Sequence, residues 1–181
     1  MKEAIMNKHY LDPDGTATAR GNGAETHFEI QLQKRNIKYR PANRHEQRMH
    51  WDYFLLGKKI DVKCDKRVCR QDKDTASKKG SICLELHGAQ WINSGWLAGE
   101  EGEGADCIAF QLWNGDYIFF NRQDLYDWAK EKASKEKVLQ DHKATPYQQY
   151  FRFSNKLESF MWASLEDMKN DLSYTILRCK K

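Results

Sequence analysis

In the stretch HWDYFLLGKKIDVK, residues His50 to Lys63, hydrophobic and charged residues are interleaved around a single glycine. The runs WDYFLL and KKIDVKC are typical of β-strands, and Gly57 between them is typical of a tight turn. The pattern therefore predicts an antiparallel β-hairpin that closes between Leu56 and Lys59.

The predicted hairpin gathers three charged side chains. Because side chains on a strand alternate between its two faces, Asp61 and Lys63 share one face, and the apolar residues around them face the core. The turn brings Asp52 of the first strand opposite Asp61 and Lys63. We therefore expect two carboxylates and one ammonium to lie within a few ångströms of one another.

Two adjacent carboxylates repel each other unless a cation lies between them. Mg²⁺ accepts one or two carboxylates together with waters and a substrate phosphate. A lysine beside such an ion can hold the attacking water or stabilise the charge that develops at phosphorus. These groups suit the metal-assisted hydrolysis of a phosphodiester, whereas the simpler interpretation is a solvated strand face with an Asp–Lys ion pair.

The composition is that of one globular domain. The chain has 181 residues, of which 40% are hydrophobic and 12% aromatic, which excludes a disordered chain. Five cysteines, an odd number, favour free thiols in the reducing cytoplasm, and no apolar run approaches the ~18 residues that span a membrane. The net charge of +4 permits a nucleic-acid partner without requiring one.

The remaining patterns predict a single α/β or α+β domain. Residues 1–23, rich in glycine, are predicted to be mostly loop, and a helix follows from Ala24 to Asn36. NRHEQRMH is predicted to be a polar connector, and Asn114-Gly115 to close a second hairpin. Further strands are predicted in IKYRPA, SICLELHG, CIAFQLW, DYIFFN, TPYQQYFRF and SYTILRC, and further helices in RQDLYDWAKEKASKEKV and LESFMWASLEDMKN.

In this order, the elements resemble those of the PD-(D/E)xK nuclease superfamily, which includes restriction endonucleases, Holliday-junction resolvases and phage endonucleases. The family has a glutamate in an early helix, an aspartate on a strand and Glu/Asp-x-Lys on the next strand. The matching residues here are Glu25, Asp52, Asp61 and Lys63. SICLELHG, NSGW and GADCIAF are similar to phage-type members, so the resemblance covers Ala24 to Trp128. Trp51 stands where a proline precedes the aspartate in many members.

The resemblance implies a restriction-endonuclease-like core, in which a central mixed β-sheet is flanked by helices. Residues 24–128 would form this catalytic core, and 129–181 a C-terminal addition of helix and strand. The implied activity is that of an endodeoxyribonuclease that uses Mg²⁺ or Mn²⁺ to hydrolyse duplex or branched DNA. A homodimer is consistent with the resemblance, and so is a phage-encoded cytoplasmic protein without a membrane partner.

The resemblance also implies which residues form the site. The catalytic and metal-binding residues would be Glu25, Asp52, Asp61, Val62 through its backbone carbonyl, and Lys63. Glu29 is an alternative to Glu25, and additional members of the site would come from Glu85, Gln90 and His87. The basic residues expected to contact DNA phosphates are Lys66, Arg67, Arg70, Lys78 and Lys79.

Two other functions stay open at the level of the sequence. One is a non-catalytic nucleic-acid-binding domain that retains the nuclease fold, although the intact set of Asp52, Asp61 and Lys63 argues against it. The other is a protein-interaction module that docks a partner on the tryptophan-rich stretch WINSGW.

Overall fold

The structure, a computed structural model, describes residues 16–64, 80–87, 96–98, 104–138, 146–150 and 159–179, and these form four helices and ten strands. In chain order the elements are α1 (Thr16–Gln33), β1 (Tyr39–Pro41), α2 (Arg44–Arg48), β2 (Tyr53–Leu55), β3 (Lys58–Lys63), β4 (Ser81–His87), β5 (Cys107–Gln111), β6 (Tyr117–Asn121), α3 (Arg122–Lys132), β7 (Ser134–Val138), β8 (Gln148–Tyr150), β9 (Ser159–Ser164), α4 (Leu165–Asp171) and β10 (Tyr174–Leu177). Among the helices described, none is long and apolar enough to cross a membrane.

Two sheets organise the chain as an α+β fold. The central sheet has six strands in the order β1-β2-β3-β5-β6-β10, and the second sheet has four in the order β4-β9-β8-β7. The central sheet is mixed, because β3 runs parallel to β5 while the other neighbours are antiparallel. The prediction of an α+β domain with a central mixed sheet is confirmed, and the second sheet was not anticipated.

The predicted hairpin is present as β2 and β3. Tyr53 lies opposite Ile60 and Leu55 opposite Lys58, so the turn consists of Leu56 and Gly57. Both turn residues have positive φ, at 50° and 76°, as the tightest hairpin turns require. The second predicted hairpin, β5 and β6, is also confirmed, with Gln111 opposite Tyr117.

The parallel pairing of β3 with β5 is fixed by Asp106. Its carboxylate accepts a hydrogen bond from the Lys59 amide at 2.7 Å, and its own amide donates to the Lys59 carbonyl at 2.8 Å. The register then sets Asp61 beside Ile108 and Lys63 beside Phe110. Asp106 therefore joins the start of β3 to the start of β5 through two hydrogen bonds.

The two faces of the central sheet pack against different layers. On one face, Ile60 and Val62 are buried together with Phe28 and Leu32 of α1. On the other face, the buried residues of β5 and β6 join those of the second sheet and α3, namely Ile108, Phe110, Ile118, Phe120, Ile82, Leu84, Leu86, Met161, Ala163, Leu125, Trp128 and Ala129. Since side chains alternate along β3, Asp61 and Lys63 lie on the face that points toward the second sheet.

The first helix is longer than predicted. It begins at Thr16, so the prediction that residues 16–23 belong to a loop is wrong. Gly21 and Gly23 lie inside it, although each costs about 1 kcal/mol relative to alanine in a helix interior. Burial of Phe28 and Leu32 against β3 offsets that cost, which the glycine pattern alone does not reveal.

The predicted polar connector NRHEQRMH contains the short helix α2, so that prediction is wrong as well. Asn43 accepts hydrogen bonds from the amides of His45 and Glu46, and the Glu46 carboxylate accepts one from the Asn43 amide. This reciprocal capping box begins a helix even where no residue is buried.

The C-terminal predictions were only partly right. Helix α3 ends at Lys132, and Ser134–Val138, predicted as helix, form β7. Ser159–Ser164, also predicted as helix, form β9, which pairs with β4 and β8 on its two sides. Its residues Phe160 and Met161 are both buried, and a short continuous apolar run does not distinguish a buried strand from a helix. The predicted strands at β1, β4, β8 and β10 are confirmed, and the remainder of TPYQQYFRF after Tyr150 lies outside the described residues.

Candidate functional site

The hairpin brings Asp52, Asp61 and Lys63 together. The Lys63 ammonium lies 2.8 Å from Oδ1 of Asp61. Oδ2 of Asp52 accepts a hydrogen bond from the Val62 amide at 2.8 Å, and the Asp52 amide donates to the Ile60 carbonyl at 2.8 Å. The Asp52 carboxylate is therefore held against the backbone of β3, beside the Asp61–Lys63 pair.

Asp61 is a buried carboxylate whose hydrogen bonding is incomplete. Its relative exposure is 2%, and within the described part of the chain its Oδ2 atom is buried without a hydrogen-bond partner. Burial raises the pKa of Asp61 to about 8; Lys63 opposes this shift, and the nearby carboxylate of Asp52 adds to it. Two carboxylates this close need a proton or a cation between them.

Lys63 is the positive charge of the site. Its ammonium lies over the ring of Trp96, 5.3 Å from the ring centre. Burial by itself lowers the pKa of Lys63, but the carboxylates of Asp61, Asp52 and Glu85 outweigh burial and raise it above its ordinary value. Lys63 therefore remains a protonated ammonium at neutral pH.

Of the two glutamates proposed from helix α1, Glu25 is the one that shares the electrostatics of the site. Burial and, to a lesser extent, the nearby carboxylate of Asp52 raise the pKa of Glu25 to about 6, against the opposing effect of Lys63. Glu29, one turn later, accepts a hydrogen bond from the Tyr39 hydroxyl at 2.5 Å. Glu25 is therefore within electrostatic range of Asp52 and Lys63, although α1 packs on the other face of the sheet from Asp61 and Lys63. Glu29 instead contacts Tyr39 of β1.

Glu85, on β4 of the second sheet, contributes to the electrostatics of the site. Its neighbours Leu84 and Leu86 are buried in the core between the sheets, and Glu85 itself is half-buried. Its carboxylate contributes to the raised pKa of Lys63, which places it within electrostatic range of the ammonium. The sequence of β4 alone leaves the face of Glu85 open, because it does not reveal that β4 belongs to a separate sheet.

The other predicted site residues are not described by the structure. Gln90 lies outside the described residues, and so does the side chain of His87, whose backbone ends β4. The predicted DNA-contacting residues are also outside them, namely Lys66, Arg67, Arg70, Lys78 and Lys79.

Trp96 is a neighbour of the site that the sequence did not indicate. It lies in a glycine-rich stretch where no strand or helix period assigns a direction to its side chain. From its sequence, WINSGW was a candidate only for docking a partner. In the structure the Trp96 ring packs edge-to-face against Phe110, the residue beside Lys63 on β5.

No protein-family model, no curated protein and no solved structure matches this chain. The chemistry of the site must therefore be inferred from its own residues.

These residues suit a hydrated divalent cation better than a fully enclosed one. Among the residues that the structure describes, no three His, Cys, Asp or Glu side chains converge closely enough to hold a metal ion by themselves. Mg²⁺ does not need such a cage, because it retains waters and binds through one or two carboxylates and substrate phosphates. Asp52 and Asp61 provide two carboxylates, and the buried Oδ2 atom of Asp61 is an oxygen that a cation would satisfy.

Proposed function

We propose that this protein is a metal-dependent endodeoxyribonuclease of the PD-(D/E)xK type, with Asp52, Asp61 and Lys63 at its centre and Glu25 beside them. One observation carries the proposal: Asp61 is buried next to a second carboxylate, and only one of its oxygens is paired in the described structure. Such an arrangement destabilises the fold, and groups with strongly shifted pKa values of this kind concentrate at functional sites.

In this proposal Asp52 and Asp61 hold Mg²⁺ or Mn²⁺ together with the backbone carbonyl of Val62. The bound cation would supply charge neutralisation at the phosphate and acidification of a water molecule. Asp61 is kept in place by Lys63, and Asp52 by its hydrogen bond from the Val62 amide. Both carboxylates therefore come from one short segment of the chain, the β2–β3 hairpin and the residue before it.

Lys63 and Glu25 would have complementary roles. Because its pKa is raised, Lys63 acts as a fixed positive charge that stabilises the phosphate oxygens in the transition state, and not as a proton acceptor. Glu25, whose pKa is raised to about 6, is mostly ionised at neutral pH and can accept a proton from the attacking water. Lys63 on β3 would thus supply the electrostatic stabilisation, and Glu25 on α1 the proton transfer.

DNA is the proposed substrate, in duplex or branched form. The support comes from the resemblance of the hairpin and α1 to the nuclease superfamily, and from the basic sequence that follows Lys63 directly. The first of these basic residues, Lys66, lies three residues after the end of β3, and Arg67 and Arg70 follow it in the chain. Contacts of this type bind phosphates independently of base sequence. A homodimer would allow both strands of a duplex to be cut.

Supercoiled plasmid DNA tests the proposal directly. The wild-type chain should nick or linearise it with Mg²⁺ or Mn²⁺ and should leave it intact with EDTA. Asp52→Asn and Asp61→Ala should abolish cleavage but retain DNA binding in a gel-shift assay. The matched control is Asp124→Asn, because Asp124 is an exposed carboxylate on α3. Cleavage by Asp61→Ala at the wild-type rate would overturn the proposal, and binding without cleavage by the wild type would favour a non-catalytic DNA-binding domain.

A further inference from the structure

The Lys63 ammonium contacts both an anion and an aromatic face. It lies 2.8 Å from Oδ1 of Asp61 and over the Trp96 ring, 5.3 Å from the ring centre. The Trp96 ring also packs edge-to-face on Phe110, with ring centres 6.1 Å apart. A cation over an indole face is attracted by the negative potential of the ring, and the attraction is stronger where water is partly excluded.

The position of Trp96 is set by a buried arginine on another element. Arg122, the first residue of α3, donates from Nη1 to the carbonyls of Leu97 and Ala98 at 2.9 and 2.8 Å. Its Nε atom donates to the Ala105 carbonyl at 2.7 Å. Arg122 is only 7% exposed and Leu97 is fully buried, so the backbone next to Trp96 is anchored in the core.

This anchoring matters most when Asp61 binds a cation. A carboxylate that shares its charge with a metal ion attracts the ammonium less strongly, and a lysine side chain has four flexible methylene groups. The aromatic face is neutral and keeps its attraction whether or not a cation is bound. Trp96 therefore supplies the restraint on Lys63 that Asp61 loses at the moment of reaction.

We propose that Trp96 is a positioning residue for Lys63: its indole face keeps the ammonium at the site when Asp61 binds a cation, and Arg122 fixes the backbone that carries the indole. The inference rests on the proposed nuclease function and deepens it. It assigns Trp96 a role inside the site, in place of the partner-docking surface considered from the sequence.

The test compares Trp96→Phe, which keeps an aromatic face, with Trp96→Leu, which keeps bulk without one. Trp96→Leu should lower kcat for plasmid cleavage about tenfold with KM little changed, because the contact acts on Lys63 and not on DNA affinity. Trp96→Phe should retain kcat within about threefold of wild type. The matched control is Trp113→Leu, because Trp113 is 76% exposed on the β5–β6 turn and should leave both constants unchanged.

A second measurement does not depend on cleavage. In NMR spectra of the full chain, the protons beside the Lys63 ammonium should be shifted upfield by the Trp96 ring, and the shift should disappear in Trp96→Leu but persist in Trp96→Phe. Absence of the shift in the wild type, equal losses of kcat in both variants, or a change confined to KM would each overturn the inference. Absence of cleavage by the wild type with the ring shift present would instead overturn the nuclease proposal, and with it any catalytic role for the contact.

Discussion

The Lys63 ammonium lies 2.8 Å from one oxygen of Asp61, and across the described residues the other oxygen of that carboxylate is buried without a hydrogen-bond partner. A buried acceptor left in this state costs about 1–3 kcal/mol, so a purely structural ion pair would be expected to satisfy both oxygens. A proton shared with Asp52 would satisfy this oxygen, and so would the cation that the proposed function assigns to the two carboxylates.

The raised pKa of Asp61 predicts how stability depends on pH without metal. Because the folded-state pKa lies above the ordinary value, this group's contribution is fully present below pH 4 and is lost as pH rises toward about 8. Asp61→Asn carries no such titration, so its stability relative to wild type should improve by roughly 4 kcal/mol between about pH 5 and about pH 8.5. Urea unfolding in EDTA at the two pH values measures this, with Asp124→Asn as the control. A pH-independent difference would contradict the buried carboxylate.

The two glutamates of α1 provide a matched pair of variants. Glu25→Gln should lower plasmid cleavage by about 10- to 100-fold, because the carboxylate proposed to accept the proton is lost while the size of the side chain is kept. Glu29→Gln should cleave at nearly the wild-type rate, since the Glu29 carboxylate is engaged by the Tyr39 hydroxyl of β1. The rate of wild-type cleavage should also rise through about pH 6 as Glu25 ionises, and this rise should be absent in Glu25→Gln. Equal effects of the two substitutions would remove Glu25 from the site.

The hairpin could be predicted from the sequence because its information is local. Alternation within KKIDVK assigns Asp61 and Lys63 to one face, and Gly57 fixes the turn, so the distance between Asp61 and Lys63 follows from neighbouring residues. Helix α1 was predicted for the same reason over its apolar part, and only its glycine-containing first turns were missed.

The second sheet could not be predicted because its pairings are remote in sequence. Leu84 of β4 pairs with Met161 of β9, and no period in either strand identifies the other. The contact between Lys63 and Trp96 could not be predicted for the same reason. The backbone next to Trp96 is held by Arg122, which is distant in sequence. The residues of the site that the sequence could not assign, Trp96 and Glu85, are therefore those that come from outside the hairpin.

Asp106 should prove structural, although it lies in the GAD stretch that resembles phage-type nucleases. Asp106→Ala removes the acceptor for the Lys59 amide at the start of the β3–β5 pair. Loss of this partly buried hydrogen bond should cost about 1 kcal/mol, which corresponds to a fall in Tm of roughly 2–4 °C for a chain of this size. Calorimetry measures the fall. Below the lowered Tm, Mg²⁺-dependent cleavage should persist, and its complete loss in a folded variant would give Asp106 a direct role.

Divalent cations should stabilise the wild-type fold through the two hairpin carboxylates. A ligand that binds only the folded state at about ten times its dissociation constant adds about 1.4 kcal/mol, so Mg²⁺ or Mn²⁺ should raise Tm by roughly 3–5 °C. The rise should be larger near pH 8 than near pH 6, because protons compete with the cation for Asp61, whose pKa is raised to about 8. Asp52→Asn and Asp61→Asn should lose the rise, whereas Asp124→Asn should keep it. An equal rise in all four proteins would show that the ions act on the surface as a whole, and the hairpin would then have no claim to be a metal site.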